Sequence, residues 1–292
     1  MRVGVTGSGG LLGRTLVPLW REAGAEVLAW TREDFDVTDA AATARVVGAA
    51  RPDAIVHAAA WTDVDGAERD EASAMRANRD GTANVAVAAA ASRSRLLHIS
   101  TDYVFDGTAR SSISPAAKPA PLGSYARSKA AGEAAVQGSQ GDWAIVRAGW
   151  AYGPGGRNFV DTMKQAAAAG RSVAVVDDQV GAPTSVRLLA EALWGLLAAR
   201  ARGIWHVAAS GETSWYGVAR VVYEAAGADP SRVKPCTSAE SGRPAPRPAY
   251  AVLDCRATVT ALARPMPTWD EQVRAYVRTS VLPPCGLIEA AA

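Results

Sequence analysis

Short apolar runs recur through the first half of the chain, and each is followed by a stretch long enough to form a helix. The runs cover residues 2–6, 26–30, 54–57, 96–100 and 144–148. The stretches 11–23, 40–50, 72–91 and 125–136 are rich in strong helix formers, and Asp39 is suited to cap the second of them. Strands that alternate with helices form a parallel sheet covered on both faces. The pattern therefore predicts an α/β fold with a doubly wound parallel sheet.

The domain organisation follows from a change in composition after Trp150. The chain has 292 residues, of which 49% are hydrophobic, and this suits one large domain with a smaller second one. Residues 152–156, Tyr-Gly-Pro-Gly-Gly, interrupt the alternation. We expect a first domain over residues 1–150 and a second over 151–292, with a segment of about 186–207 that can return to the first. The same reasoning predicts helices at 186–199 and 215–226, a strand at 203–207 and an extended loop at 241–248.

Charge and cysteine content exclude several classes of protein. The formal net charge is +2, from 31 basic and 29 acidic residues, so the excess that phosphate-backbone binding requires is missing. The longest uncharged apolar run, residues 83–91, is shorter than the roughly 18 residues that span a bilayer. Cys236, Cys255 and Cys285 are far apart and form no CxxC pair. We expect no nucleic-acid or membrane partner, a cytoplasmic location, no metal site, and a monomer or homodimer.

A glycine-rich turn lies between the first predicted strand and the first helix. Its residues are Gly7, Ser8, Gly9, Gly10, Leu11, Leu12 and Gly13, with GxxGxxG spacing. Glycine lets the backbone approach a pyrophosphate closely, and the helix N-terminus supplies free N–H donors. The turn therefore predicts a dinucleotide site. A tight strand-to-helix turn that binds nothing is the alternative.

The end of the second predicted strand indicates which dinucleotide is bound. NAD sites usually place an acidic residue here for the ribose 2′-hydroxyl, but this chain has Trp30-Thr31-Arg32. An arginine can pair with a 2′-phosphate, so NADPH is favoured, with NADH still possible. Asp36 and Val37 follow and are predicted on the adenine side of the pocket.

Tyr125 and Lys129 are four residues apart at the start of a predicted helix, so they share one face. A free phenol has a pKa about three units above neutrality, which corresponds to roughly 4 kcal/mol. An ammonium about 4 Å away contributes roughly that much at an effective dielectric constant near 20. Ser100 and Thr101 end a predicted parallel strand, where α/β sheets bind ligands. The combination predicts a tuned proton donor beside a hydroxyl that binds a carbonyl. Taken alone, a core tyrosine and a surface lysine would give the same spacing.

Together these motifs resemble those of the extended short-chain dehydrogenases/reductases. More narrowly, the chain resembles the dTDP-4-dehydrorhamnose reductase family and related 4-ketoreductases of deoxysugar pathways. The wider resemblance rests on residues 7–13, on Ala58-Ala59-Ala60, on residues 100–105 and on Tyr125xxxLys129. The narrower one rests on residues 51–53, 58–68, 149–153, 158–159 and 178–184 and on Asn78. It extends nearly to Leu253, although Arg247-Pro-Ala-Tyr-Ala-Val252 departs from the family pattern and puts the substrate contacts there in doubt.

The resemblance implies a Rossmann-type cofactor domain and a smaller sugar-nucleotide domain. The implied reaction is hydride transfer from NADPH to the C4 ketone of a dTDP-4-keto-6-deoxyhexose, in rhamnose or antibiotic deoxysugar biosynthesis. Tyr125 would donate the proton, Lys129 would lower its pKa and hold the nicotinamide ribose, and Thr101 would bind the carbonyl. The other implied cofactor residues are Ala58, Ala59, Ala60, Asn78 and Ser100. The other implied substrate residues are Val64, Asp65, Asp102, Tyr103, Phe105, Trp150, Asn158 and Arg247.

Two alternatives remain open from the sequence. One is an NAD-retaining epimerase or dehydratase of the same fold; such dehydratases carry Asp-Glu after the strand-end threonine, where this chain has Asp102-Tyr103. The other is a non-catalytic, NADP-binding regulatory subunit. Net consumption of NADPH with a keto-sugar distinguishes both from a reductase.

Overall fold

The structure is a computed structural model, and it describes residues 1–286. Its strands are β1 (Arg2–Thr6), β2 (Glu26–Trp30), β3 (Ala54–His57), β4 (Arg95–Thr101), β5 (Trp143–Ala148), β6 (Ala151–Tyr152), β7 (Val173–Val176), β8 (Val180–Gly181), β9 (Thr184–Ser185), β10 (Gly203–His206), β11 (Thr213–Ser214) and β12 (Val233–Cys236). Its helices are α1 (Gly13–Glu22), α2 (Ala40–Ala50), α3 (Val64–Arg69), α4 (Glu71–Met75), α5 (Gly81–Ser92), α6 (Ser124–Gln137), α7 (Phe159–Ala168), α8 (Val186–Ala198), α9 (Trp215–Ala225), α10 (Arg256–Leu262) and α11 (Trp269–Thr279).

The central sheet has six strands, all parallel, in the order β2-β1-β3-β4-β5-β10. Both faces are buried. One face packs on α1 and α8 through residues such as Trp20 and Leu193, and the other packs on α2, α5 and α6 through residues such as Val47, Val85 and Val136. The predicted doubly wound Rossmann-type sheet is confirmed. The strand order reverses between β1 and β3, which is where such sheets form a ligand crevice.

A second hydrophobic core gathers much of the chain after residue 150. It is formed by β6, β7 and β12 together with α7, α9 and α11, and Tyr223 and Val273 lie at its centre without solvent exposure. The segment 186–207 instead supplies α8 and β10 to the first core and its sheet. The assignment of residues 1–150 to a cofactor domain and of residues 151–292 to a substrate domain stays a prediction. Residues 287–292 of the second domain lie outside the part of the chain that the structure describes.

The single helix predicted for residues 72–91 is wrong in detail. The segment is α4, then a π-helical turn at Arg76–Asp80, then α5. Thr82 donates to the Asn78 carbonyl oxygen at 2.7 Å, and Gly132 of α6 lies so close that a Cβ there would be 2.3 Å from that oxygen. The widened turn is accommodated by this close approach of two helices, which a helix-propensity pattern does not register. No helix within residues 1–286 has the length and apolar character needed to cross a membrane.

Candidate active site

A crevice of about 990 Å³ opens at the carboxyl ends of β1, β3 and β4, at the point where the strand order reverses. Most residues predicted to bind cofactor or substrate line it. These are Gly7, Gly9, Gly10, Leu11, Leu12, Gly13, Arg32, Asp36, Val37, Ala58, Ala59, Ala60, Val64, Ser100, Thr101, Asp102, Tyr103, Tyr125, Lys129 and Trp150. Motifs separated by more than a hundred residues therefore meet in one cavity.

The glycine turn forms one wall of the crevice with its backbone. Gly7 has φ of +69°, and a Cβ there would lie 2.6 Å from the Ala59 backbone nitrogen. A Cβ on Gly13 would lie 2.5 Å from the Ser8 carbonyl oxygen, whereas one on Gly9 would meet nothing closer than 3.9 Å. Gly7 and Gly13 thus hold the turn tightly, and Gly9 leaves its backbone open to the crevice. The turn has the shape that a dinucleotide pyrophosphate requires.

Arg32 lies at the far end of this wall. Its Nη2 donates to Asp36 Oδ2 at 2.9 Å, and the arginine side chain is 86% exposed. The Thr38 backbone N–H holds the pKa of Asp36 below its usual value, with Arg32 adding to the effect. An exposed guanidinium next to the crevice can turn toward a 2′-phosphate, since ion pairs at the surface are weak. The residues present fit NADP(H).

Lys129 lies in the crevice wall and is only 4% exposed. Its Nζ donates to the Ile99 carbonyl oxygen of β4 at 2.7 Å. Burial lowers the pKa of Lys129 to about 8, and the Glu133 carboxylate opposes this shift. The lysine is thus fixed on the strand that ends in Thr101.

The Tyr125 ring meets Tyr103 edge to face, with ring centroids 5.9 Å apart. Burial raises the pKa of Tyr125, and the Thr101 side chain partly offsets this rise. The structure differs from the prediction that Lys129 lowers this pKa, because the ammonium is directed at the Ile99 carbonyl. The phenol therefore stays protonated at neutral pH, as a proton donor must.

The hydroxyl of Thr101 donates to Asp102 Oδ1 at 3.0 Å. Asp102 is only 2% exposed, and burial raises its pKa to about 7. A Cβ on Gly149 would come within 2.3 Å of Asp102 Oδ2, so the glycine makes room for the carboxyl group. Thr101, Asp102 and Tyr125 form a compact polar patch that can bind a carbonyl oxygen.

An aromatic wall faces this patch, formed by Trp150 and Trp215. The two rings stack with centroids 3.7 Å apart and 8° between their planes. Trp150 has a φ of +53°, in the left-handed region, and a Cβ on Gly181 would come within 2.7 Å of its ring. Phe159 packs edge-on against Trp215 at 4.7 Å. The sequence predicted only that Trp215 begins a helix. It did not predict this stack, because Trp150 lies 65 positions earlier in the chain.

Some predicted site residues lie outside the crevice lining and act in the framework. Phe105 is buried, with its ring against Arg147 and His206 rather than a sugar. Asn158 caps α7 by accepting from Asp161 N at 2.9 Å. The Ser8 side chain is buried within the turn.

Asp65, Arg247 and Asn78 are also engaged with the protein itself. Arg247 Nη2 donates to Asp65 Oδ2 at 2.9 Å, which ties the loop that carries Arg247 to α3, and the implied substrate contact of Arg247 stays a prediction. Asn78 donates to the Trp61 carbonyl at 3.0 Å and to Ser128 Oγ at 2.8 Å. Asn78 thereby holds Trp61, which lines the crevice. Within residues 1–286 no three His, Cys, Asp or Glu side chains are grouped as a metal site.

The parallel sheet, the glycine turn and the Thr101, Tyr125 and Lys129 group define a short-chain dehydrogenase/reductase, a class of NAD(P)-dependent oxidoreductases. The family model described as RmlD substrate binding domain matches residues 1–281. The chain belongs to the dTDP-4-dehydrorhamnose reductase family.

Individual relatives agree with this assignment. The chain is 44% identical over 274 residues to the dTDP-4-dehydrorhamnose reductase of Mycobacterium tuberculosis, covering 92% of this chain and 90% of the relative. It is 41% identical over 266 residues to the dTDP-4-keto-6-deoxy-D-glucose reductase of Streptomyces niveus, covering 91% and 92%. The dTDP-4-dehydrorhamnose reductase of Bacillus anthracis, solved in complex with NADP, superposes with a TM-score of 0.90 at 33% identity, covering 94% and 98%. The predicted family and oxidoreductase class are confirmed. The predicted NADPH cofactor agrees with the NADP found in the structure of the Bacillus anthracis relative.

Proposed function

We propose that the protein catalyses NADPH-dependent reduction of the C4 ketone of a dTDP-linked 4-keto-6-deoxyhexose. One observation carries this proposal: Thr101, Tyr125 and Lys129 converge in a crevice whose other wall is the glycine turn and Arg32. The product is a 4-hydroxy sugar that serves either as a rhamnose precursor or as an antibiotic deoxysugar. The names of the relatives support the substrate class.

The polar patch accounts for the proton side of the reaction. NADPH, which the glycine turn and Arg32 would hold, would supply the hydride for the carbonyl carbon. Thr101 and Tyr125 present hydroxyls to the carbonyl oxygen, and the negative charge that develops there strengthens both hydrogen bonds. Tyr125 gives its proton to this oxygen as the charge develops, so that a neutral hydroxyl forms at C4. Lys129, fixed on the Ile99 carbonyl, would hold the nicotinamide ribose beside these hydroxyls.

The two cores suggest how the substrates divide between them. We propose that the central sheet, with α8 and β10, holds NADPH and that the second core holds the nucleotide sugar. Trp150 leaves the end of β5 and stacks on Trp215 of α9, so the aromatic wall joins both parts beside the reacting groups. The hexose then lies between this wall and Tyr125.

The assay supplies NADPH and a dTDP-4-keto-6-deoxyhexose, follows the loss of reduced-nicotinamide absorbance, and identifies the product by NMR. A reductase consumes one equivalent of NADPH per sugar. Tightly retained NAD with no net consumption would identify an epimerase or dehydratase, and NADP binding without turnover would identify a regulatory subunit. The configuration of the new alcohol decides between the rhamnose and antibiotic roles.

Arg32→Ala is expected to weaken NADPH binding by about 10-fold or more and to leave NADH binding nearly unchanged. The reason is that charge-assisted hydrogen bonds to phosphate are worth roughly 1.5–3 kcal/mol, and NADH lacks the 2′-phosphate. Fluorescence titration of both dinucleotides measures this. Arg45→Ala, at an exposed position of α2, is the matched control. Equal losses for NADPH and NADH would place the 2′-phosphate elsewhere.

Trp215→Ala is expected to raise the KM for the keto-sugar by about 10-fold while the Kd for NADPH stays unchanged. Stacked aromatic pairs contribute roughly 0.5–1.5 kcal/mol beyond the burial of their surface. Without Trp215, the Trp150 ring is no longer held by stacking in the position proposed to contact the sugar. Trp215→Phe, which keeps a ring, should show an intermediate KM. Trp205→Phe on β10 is the control. A KM that does not change would remove the aromatic wall from the sugar site.

A further inference from the structure

Beneath the crevice, α6 is joined to the central sheet by a fully buried ion pair. Arg147 of β5 donates from Nε to Glu133 Oε1 at 2.8 Å and from Nη2 to Glu133 Oε2 at 2.7 Å. The side chains are 0% and 1% exposed. This two-pronged geometry fixes both the distance and the rotation of Glu133 relative to the strand.

Neighbouring groups extend the pair to other elements around the site. Ser100 Oγ donates to Glu133 Oε1 at 2.6 Å, so the carboxylate also holds β4. Arg147 Nη1 donates to the Pro115 carbonyl at 3.3 Å, in the loop that leads into α6, and its guanidinium lies 5.0 Å from the Phe105 ring centroid. Strands β4 and β5 and helix α6 are thereby held together by one carboxylate and one guanidinium.

Stability alone does not explain such a pair. Removing two charges from water is costly, and replacing a buried ion pair with apolar groups of similar volume is often neutral or stabilising. The position of the pair is more informative. Glu133 follows Lys129 by one helical turn, and its partner Ser100 lies between Ile99, whose carbonyl accepts from Lys129, and Thr101.

The charges around Lys129 make Glu133 distinctive. His57 of β3 and His98 of β4 face the lysine, and burial lowers the pKa of His57 to about 3 and that of His98 well below its usual value. Both imidazoles are therefore neutral at pH 7. Tyr125, on the same helix, is a protonated phenol. Among the described residues, Glu133 is the acid that opposes the effect of burial on Lys129.

We propose that Glu133 and Arg147 act as a positioning pair for the catalytic lysine: they fix α6 on β4 and β5, and the Glu133 carboxylate places a negative charge one helical turn from the buried Lys129 ammonium. Neither residue touches the reacting atoms. The proposal rests on the proposed function for the role of Lys129, but the charge effect exists in the protein without substrate.

The test is a pH titration of Lys129 by NMR in protein labelled with ¹³C-lysine. The chain has four lysines, and Lys129 is the buried one, so its resonance is assigned from a Lys129→Met spectrum. The double variant Glu133→Gln/Arg147→Met removes both charges and keeps an acceptor for Ser100. We expect the Lys129 midpoint, near pH 8 in the native protein, to fall by about one pH unit, a tenfold change in its acid dissociation constant.

The control removes an ion pair between the residues that immediately precede β5 and β10. Asp142→Asn/Arg202→Gln breaks the pair at the opposite end of β5, where Arg202 Nε lies 2.9 Å from Asp142 Oδ1, and should leave the midpoint unchanged. An unchanged midpoint in the Glu133/Arg147 double variant would overturn the proposal, since a merely structural pair does not move it. Absence of keto-sugar reduction by the native protein would instead refute the proposed function, because the titration needs no substrate.

A second variant covers the case in which the double variant does not fold. Arg147→Lys keeps both charges but removes the bidentate pair of hydrogen bonds to Glu133. We expect the Lys129 midpoint to stay within about 0.3 pH units of the native value while kcat falls about tenfold, because α6 is less firmly held. A native kcat in this variant would overturn the positioning role.

Discussion

Tyr125→Phe lowers kcat for keto-sugar reduction by at least about 10²-fold and leaves the Kd for NADPH nearly unchanged. A positioned general acid typically contributes 10²–10⁴-fold, and the substitution removes only the hydroxyl that gives its proton to the alkoxide. The ring remains, so its edge-to-face contact with Tyr103 is preserved. Stopped-flow or steady-state absorbance with NADPH gives kcat, and fluorescence titration gives Kd.

Tyr103→Phe is the matched control, since Tyr103 lines the same crevice and burial raises its pKa to about 12. The Arg247 side chain lies close enough to hydrogen-bond the Tyr103 phenol. Tyr103 therefore belongs to the framework behind the polar patch of Thr101, Asp102 and Tyr125. We expect its loss to lower kcat by less than about 10-fold. A collapse of kcat in Tyr103→Phe with a near-native rate in Tyr125→Phe would show that the two phenols have been assigned the wrong way round.

The strands and helices of the first 150 residues were predictable because their signal is local. Residues 2–6, 26–30 and 54–57 were predicted as strands with the bounds that the structure shows, and Asp39 caps α2 as expected, accepting from Ala42 N at 2.9 Å. The two-residue strands β6, β8, β9 and β11 were not predictable, because a pair of residues has no periodicity. They form through pairing with distant segments, as when β11 joins β8.

The site was predictable where a motif is contiguous and unpredictable where it depends on tertiary contacts. The glycine turn and the Tyr125 and Lys129 pair fall within short windows, so they could be recognised as motifs, and both line the crevice. The stack of Trp150 on Trp215 and the bond from Arg247 to Asp65 join residues 65 and 182 positions apart. Helical spacing also shows that two side chains share a face, but it does not show where each side chain points. For this reason the Lys129 ammonium was expected next to the Tyr125 phenol, whereas it donates to the Ile99 carbonyl.

Gly7→Ala is expected to lower the free energy of unfolding by about 2–4 kcal/mol and the affinity for NADPH at least about 10-fold. Alanine is strained at the φ of +69°, and its Cβ would lie 2.6 Å from the Ala59 nitrogen and 2.8 Å from the Ala58 carbonyl carbon. The turn and the end of β3 must then separate, and both line the crevice proposed to hold the dinucleotide. Urea unfolding and NADPH titration measure the two effects.

Gly9→Ala separates cofactor binding from folding. A Cβ at Gly9 has no heavy atom closer than 3.9 Å and would enter the crevice, so stability should stay within about 0.5 kcal/mol while NADPH affinity falls about 10-fold. Gly48→Ala, at an exposed helix position with nothing within 4 Å, should keep NADPH affinity and gain up to about 1 kcal/mol of stability. If Gly9→Ala bound NADPH as tightly as the native protein, the pyrophosphate would not lie on this turn. If Gly7→Ala were as stable as Gly48→Ala, the turn and β3 would not meet as closely as the structure requires.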